Sequence, residues 1–229
     1  MHRMCSAIVM VIILSCSTAF AQSAASNKAF FAKSLDEIIL APINGPDSAV
    51  VTLFDVPQAL KTSNGGAVSA TLSMEAALWT YNLTTAIVNG GKNSSSSRAA
   101  IKAWVEIDGV AMEPGLVVYA DRLQATGLTV NLACSVPGTT CTMSGDVTLE
   151  LFQATKNANS FVFFKGPLDA IIHSVKVKAQ GFVECRSNDG TVIPCPTGTL
   201  AGYSNAQTQA AIGKATLLVE EQQNWGSKY

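Results

Sequence analysis

The stretch Val68–Leu78, with the sequence VSATLSMEAAL, decides the fold class. Its apolar residues recur at every second position, and polar residues stand between them over most of its length. Alternation with a period of two places the apolar side chains on one face of an extended strand, whereas a helix would distribute them around its axis. We therefore expect a long β-strand whose buried face carries Val68, Ala70, Leu72, Met74 and Leu78.

A second stretch, 99–107, repeats this pattern. Its apolar residues alternate with Lys102, Trp104 and Glu106, and it stops at the turn pair Asp108-Gly109. The serine run 94–97 before it predicts a flexible loop, and two separate strands are predicted later, at 146–152 and 160–164. Short β-prone segments separated by Gly, Pro and Asn, without a convincing long helix, indicate an all-β domain, an antiparallel β-sandwich or barrel.

The first 21 residues have the three parts of a cleavable signal peptide. Arg3 supplies positive charge, residues 7–14 form a short apolar core, and Ala19-Phe20-Ala21 offers small residues where signal peptidase reads. The core is shorter than the roughly 20 residues that cross a bilayer, and no other stretch is apolar enough to do so. We therefore expect a secreted or periplasmic protein.

The processing site has one alternative. Ile13-Leu14-Ser15-Cys16 resembles a bacterial lipoprotein box, so the protein could instead be a lipoprotein anchored through Cys16. In either case we expect residues 22–47 to form a poorly ordered N-terminal segment. Residues 48–229 are then expected to form a single β-sandwich domain.

Four of the six cysteines remain after export, namely Cys134, Cys141, Cys185 and Cys195. An even number in an exported chain implies disulfides, with three possible pairings. Each close pair brackets a turn-rich segment, so we expect the local bonds Cys134–Cys141 and Cys185–Cys195. A zinc site is disfavoured, because it needs closer cysteine pairs or additional histidines.

The charge balance narrows the range of partners. The chain has 15 basic and 16 acidic side chains, and no basic cluster is present. This argues against nucleic acid and against an anionic membrane surface as partner. A protein or a glycan stays open as partner.

His173 is the only histidine left after export, and it lies in a predicted strand on the same face as Val175 and Val177. No Gly-x-Ser-x-Gly elbow accompanies it, so we interpret it as a partly buried strand histidine. Glu106 and Asp108 would face the same side of a strand, as a glycosidase pair could, but we favour the interpretation that Glu106 is a solvent-facing strand residue and Asp108 a turn residue. We assign no catalytic residue.

The sequence contains no motif that predicts a cofactor. Calcium is the one ion that we keep as a candidate, because Asp108, Glu113 and Asp121 could supply oxygen ligands, although no Asp-x-Asp-x-Asp spacing is present. No metal-binding residue is assigned on this basis.

Aromatic residues provide a candidate binding surface. Trp79 and Tyr81 lie on the polar face of their strand, and Trp104 is likewise out of phase with the apolar residues of its strand. If these faces are open, these three rings could form a platform on which a carbohydrate stacks. A binding module should then show an exposed patch that holds Trp79, Trp104 or Tyr119, and these are the candidate binding residues. The interpretation that we favour is that another sheet or a loop buries this second face, since large aromatics carry much of a core's burial.

Several strand patterns of the later half carry a family resemblance. They are NANSFVF at 157–163, HSVKVKA at 173–179, IGKATL at 212–217 and, before them, VEIDG at 105–109. With these patterns the chain resembles a group of uncharacterised exported bacterial β-sandwich proteins with no known activity. The resemblance implies a jelly-roll-like sandwich and transfers no functional residue.

Together these observations predict a non-enzymatic protein. We expect it to act in binding, or as a structural or adhesion protein at the cell surface. A carbohydrate-binding module that uses the exposed aromatics is the alternative, and a hydrolase is the third hypothesis. These hypotheses predict different surfaces. An assembly module needs an unpaired strand edge, a carbohydrate module needs a shared aromatic patch, and an enzyme needs a pocket that converges on His173 or Glu106.

Overall fold

The structure, a computed structural model, describes residues 28–33, 38–41, 46–85, 92–129, 148–200 and 203–222. Every regular element in these ranges is a β-strand, which confirms the all-β class. The predicted signal peptide, Cys16, Cys134 and Cys141 lie outside the described residues. In the part of the chain that is described, no helix has the length and apolar character needed to cross a bilayer.

The described ranges contain thirteen strands, which we number in chain order. They are β1 (Lys28–Lys33), β2 (Ile38–Ile39), β3 (Val51–Lys61), β4 (Gly66–Thr85), β5 (Lys92–Ile107), β6 (Val110–Ala111), β7 (Val117–Thr129), β8 (Thr148–Leu168), β9 (Ile172–Arg186), β10 (Val192–Ile193), β11 (Thr197–Leu200), β12 (Tyr203–Gln207) and β13 (Gln209–Gln222).

Two antiparallel sheets pack face to face. The first has the order β1-β13-β4-β8, and β2 also pairs with β13. In the second, β9 and β5 are central, with β3 and β10 beside β9 and with β7 and β6 beside β5. A short hairpin, β11–β12, forms a third sheet. The antiparallel β-sandwich is thereby confirmed, and the jelly-roll detail stays a prediction.

The core lies where the alternating faces of β4 and β5 meet. Val68, Leu72 and Met74 are 0–2% exposed, as the period-two pattern predicts. From the opposite sheet, Ile101 and Val105 join the same apolar cluster. The strand faces read from the sequence are therefore confirmed for both central strands.

Two local expectations are wrong. Residues 146–152 and 160–164 were expected to belong to separate strands, but β8 runs without a break because the polar stretch between them also pairs with β4, for example Lys156 with Ala77. Polar side chains are tolerated there because β8 lies at the edge of its sheet and they stay exposed. Likewise, Ser94 and Ser97 belong to β5 rather than to a loop, and they pair with β7.

The segment before residue 48 contributes to the first sheet. Residues 28–33 pair with β13 at the sheet edge, and Ile38 and Ile39 pair with the same strand further along. Leu40 is 2% exposed and packs in the core. The predicted division between 22–47 and 48–229 stays a prediction, but its described strands are part of the sandwich.

Candidate functional site

Trp79 and Trp104 lie on opposite outer surfaces of the sandwich. On β4 the even-numbered residues 68–78 face the core, so Trp79 points away from it. On β5 the odd-numbered residues 99–107 face the core, so Trp104 lies on the outer surface of the other sheet. The two rings are partly exposed but cannot share one stacking platform.

Tyr119 is buried rather than exposed, so its assignment to an exposed binding patch is wrong. It is 2% exposed, and its hydroxyl accepts a hydrogen bond from the backbone N–H of Met74 at 2.7 Å and donates to the carbonyl of Asn159. The pairing of β5 with β7 shifts register between Ile101 and Lys102, which is where Tyr119 is inserted. Such an irregularity redirects a side chain, and simple alternation does not reveal it.

Glu106 is a paired surface carboxylate. Trp104 Nε1 donates to its Oε1 at 3.0 Å, and Lys178 Nζ lies 2.8 Å from the same oxygen. Burial opposes ionisation of the Glu106 carboxyl, but the hydrogen bonds from Lys178 and Trp104 outweigh it and hold its pKa below the usual range. An acid held ionised in this way is unsuited to donate a proton as a glycosidase acid does.

His173 is buried in the strand face that also carries Val175 and Val177, as the sequence predicts. Its Nδ1 donates to Asp108 Oδ2 at 2.5 Å, and its Nε2 lies 2.8 Å from Thr62 Oγ1. The Thr62 hydroxyl donates to the Asp169 carbonyl at 2.6 Å. An acid, a histidine and a hydroxyl therefore meet, but Thr62 is only 3% exposed and its proton is already engaged.

The His173 cluster therefore joins three turns rather than presenting a nucleophile. Asp108 follows β5, Thr62 follows β3, and Asp169 precedes β9. Burial opposes ionisation of the Asp108 carboxyl, but hydrogen bonds from His173 and Ser174 outweigh it and hold its pKa below the usual range. A buried, hydrogen-bonded network of this kind stabilises the turns it connects.

Of the three residues considered as calcium ligands, Asp108 and Asp121 have carboxylates that pair with different side chains. Asp108 binds His173, whereas Asp121 accepts two hydrogen bonds from Arg98. Glu113 pairs through its backbone with Phe164. Among the described residues, no group of three or more His, Cys, Asp and Glu side chains could hold a metal ion.

The expected disulfide between Cys185 and Cys195 is present, with Cα atoms 5.1 Å apart. It joins the end of β9 to the loop that follows β10. Cys185 is 2% exposed, so one sulfur lies in the interior. The predicted bond between Cys134 and Cys141 lies outside the described residues.

A cleft of about 500 Å³ opens beside this disulfide, and we call it the disulfide cleft. Both cysteines line it, and most of its other lining is apolar. Ile39, Val192 and Ile193 are 37–56% exposed, which marks an apolar mouth. The remaining apolar lining consists of Ala41, Pro46, Val183 and Pro194. Small-molecule sites have this size and this apolar character.

Polar groups occupy one wall of the disulfide cleft. Gln207 Nε2 donates to Gln209 Oε1 at 2.8 Å, and both side chains line the cleft. Thr208 lies between them and accepts a hydrogen bond from the backbone N–H of Tyr81 at 3.0 Å. A few polar groups in an apolar wall are what orients a bound ligand.

The hairpin β11–β12 holds this wall in place. Its residue Gly198 packs closely on Tyr81. A Cβ atom added at Gly198 would clash with the phenol oxygen of Tyr81 and would lie 2.6 Å from its Cζ. Tyr81 is 1% exposed although it lies on the outer side of β4, as Trp79 does. The hairpin thus covers this end of the first sheet and brings Thr197 to the cleft.

Reasoning from the sequence missed the disulfide cleft. One signal was present, since Val192-Ile193-Pro194 is an apolar run inside a disulfide loop that otherwise consists of turn residues. The predicted site residues Trp79, Trp104 and Tyr119 are not among its lining residues.

The scan of family models and the search of curated proteins find no match to this sequence.

Proposed function

We propose that the chain is an exported, non-enzymatic binding protein that holds a small, mostly apolar ligand in the disulfide cleft. The cleft itself carries the proposal, because it is a concave space of about 500 Å³ that is lined mainly by apolar side chains. Sites for small molecules are commonly of this size, with a small number of polar groups for orientation.

Export is supported from two directions. Arg3, the apolar core and Ala19-Phe20-Ala21 form the expected N-terminal pattern. The Cys185–Cys195 disulfide fits an oxidising compartment, because such bonds are rare where thiols are kept reduced.

The chemistry of the cleft supports binding rather than catalysis. Glu184 is the one carboxylate among its described lining residues, and Arg186 Nε lies 2.6 Å from it. His173 and Glu106 are not part of the lining. A general base needs a substrate within hydrogen-bond reach, which the position of His173 does not offer.

A fluorescent probe tests the proposal. N-phenyl-1-naphthylamine is neutral and brightens in apolar surroundings, so its saturable binding to the purified protein reports an apolar site. Ala41→Trp should fill the cleft and weaken probe binding at least about tenfold, because the indole occupies the space the probe needs. Ala111→Trp, at an exposed position of β6 outside the cleft, is the matched control and should bind as the parent does.

Two outcomes would refute this function. The first is the absence of saturable probe binding to the folded, oxidised protein. The second is unchanged binding by Ala41→Trp, which would place the probe elsewhere.

Assembly through a strand edge is the second candidate function. Among the described residues, β8 has one neighbouring strand, β4, and one further bridge at Phe164. It is 21 residues long and exposes Val162 at 45%. Long exposed edges of this kind accept a strand from another chain. Light scattering on the purified protein tests this role, and a monomer at high concentration would refute self-assembly.

We also propose that the sandwich is a jelly roll. Apart from the two-residue strands β2, β6 and β10, each sheet has four strands, in the orders β1-β13-β4-β8 and β3-β9-β5-β7. The chain crosses between the sheets from β3 to β4, from β4 to β5, from β7 to β8 and from β8 to β9. This arrangement supports the resemblance to exported β-sandwich proteins, and jelly rolls have eight strands in two sheets.

A further inference from the structure

The disulfide cleft has no positive charge in its described lining. Of the residues that line it there, Glu184 alone is ionisable, and its carboxylate is neutralised by Arg186 outside the lining. Arg186 is further held by the carbonyl of Gly190, to which its Nη1 donates at 3.0 Å. A ligand anion that entered would lose water without meeting a cation, which is costly in an apolar site.

The amide pair offers hydrogen bonds to a neutral group. A primary amide has two N–H donors and an oxygen that accepts twice. The bond from Gln207 to Gln209 uses one N–H and one lone pair, so the pair still has both donors and acceptors for a ligand. Both side chains are only partly exposed, and a hydrogen bond formed there is therefore shielded from water.

We propose that the disulfide cleft selects a neutral, mostly apolar ligand with one hydrogen-bonding group, which contacts Gln207 and Gln209, and that it rejects the corresponding anion. This inference rests on the proposed function and names the ligand class of the same site. The size of the cleft, its apolar lining, the absence of a cation from the described lining residues and the amide pair all favour the same ligand class.

Two probes with one skeleton test the charge preference. N-phenyl-1-naphthylamine and 1-anilinonaphthalene-8-sulfonate differ only by the sulfonate, so their dissociation constants compare neutral and anionic forms of one ligand. We expect the sulfonate to bind at least about tenfold more weakly to the parent protein. Equal affinities would overturn this inference and leave the proposed function standing, whereas saturation by neither probe would overturn both.

A positive charge placed at the mouth should reduce the preference for the neutral probe. Ile39 is 56% exposed and lines the cleft, so Ile39→Lys adds a cation without disturbing the core. The sulfonate should then bind about five- to tenfold more tightly, while the neutral probe changes by less than about twofold. Ile39→Gln is the control of similar size, and an equal gain with this variant would show that charge is not the cause.

The amide pair is tested separately. Gln209→Leu keeps the approximate volume and removes the hydrogen-bonding groups, so the neutral probe, whose amine can pair with an amide, should bind about fivefold more weakly. Binding unchanged by this substitution would overturn the role of the amide pair.

Discussion

Nδ1 of His173 donates to the carboxylate of Asp108 at 2.5 Å, which joins the start of β9 to the turn that ends β5. The other carboxylate oxygen accepts the backbone N–H of Ser174 at 2.8 Å. Asp108 has φ 50°, in the left-handed region that Asp tolerates better than most residues. The two hydrogen bonds hold the turn in this conformation.

Replacement of His173 by Ala should lower stability without affecting ligand binding. The substitution removes a buried ring and leaves Asp108 and Thr62 without this partner, at a cost of about 1–3 kcal/mol. Urea unfolding measures the loss, and probe titration measures the cleft. A folded His173→Ala variant that no longer bound the probe would contradict the separation of the two sites.

Tyr119 should make stability fall at high pH. Burial raises its pKa to about 12, whereas the pKa of an unfolded tyrosine is about 10. Because the folded pKa is the higher one, the contribution to stability is complete below ~10 and is lost as the pH rises toward about 12. Unfolding curves recorded between these values should show the fall in the parent and a smaller one in Tyr119→Phe. Equal slopes for the two proteins would contradict a neutral, buried phenol.

Leu72→Asp should unfold the domain. Leu72 is fully buried, so the carboxylate would lose water without a partner, at a cost of several kcal/mol. Thr71→Asp on the opposite face of β4 is the matched control and should cost less than about 1 kcal/mol. Circular dichroism melting compares them, and similar melting temperatures for the two variants would show that the strand faces are assigned wrongly.

Cys195→Ser should destabilise the domain and the cleft together. The bond closes a loop with a sequence separation of 10, so its removal should cost about 2.5 kcal/mol through loop-closure entropy. Strand β10, which lines the cleft, is held to β9 by the pairing of Val192 and Ile193 once the disulfide is removed. Under non-reducing conditions, the affinity for the probe and the urea concentration at the midpoint of unfolding should both be lower than in the parent. Full retention of affinity would show that β10 keeps its position in the cleft without the disulfide.

Gly198→Ala should weaken the hairpin that covers Tyr81. The added methyl would overlap the phenol ring, and overpacking of this kind costs about 1–3 kcal/mol. Combining it with Tyr81→Phe removes the nearest atom and should recover part of the loss. A double variant whose loss equals the sum of the two single losses would show that the two residues are not coupled.

The alternation of apolar and polar residues predicted those features that depend only on residues close together in the sequence. Period two placed Leu72 and Ile101 in the core, because a strand turns successive side chains to opposite faces whatever surrounds it. It also placed His173 in a buried face. It did not predict the position of Tyr119, because one irregularity in the pairing of two strands redirected that side chain.

By itself, the sequence determined the all-β class, the faces of the central strands and the pairing of Cys185 with Cys195, because each depends on residues close together in the chain. Only the tertiary structure decided that Trp79 and Trp104 point in opposite directions, since this depends on which sheet each strand joins. The disulfide cleft likewise exists only after folding. Its walls come from β2, from the end of β9 with β10, and from β11–β13, and only the packing of these distant segments leaves a space between them.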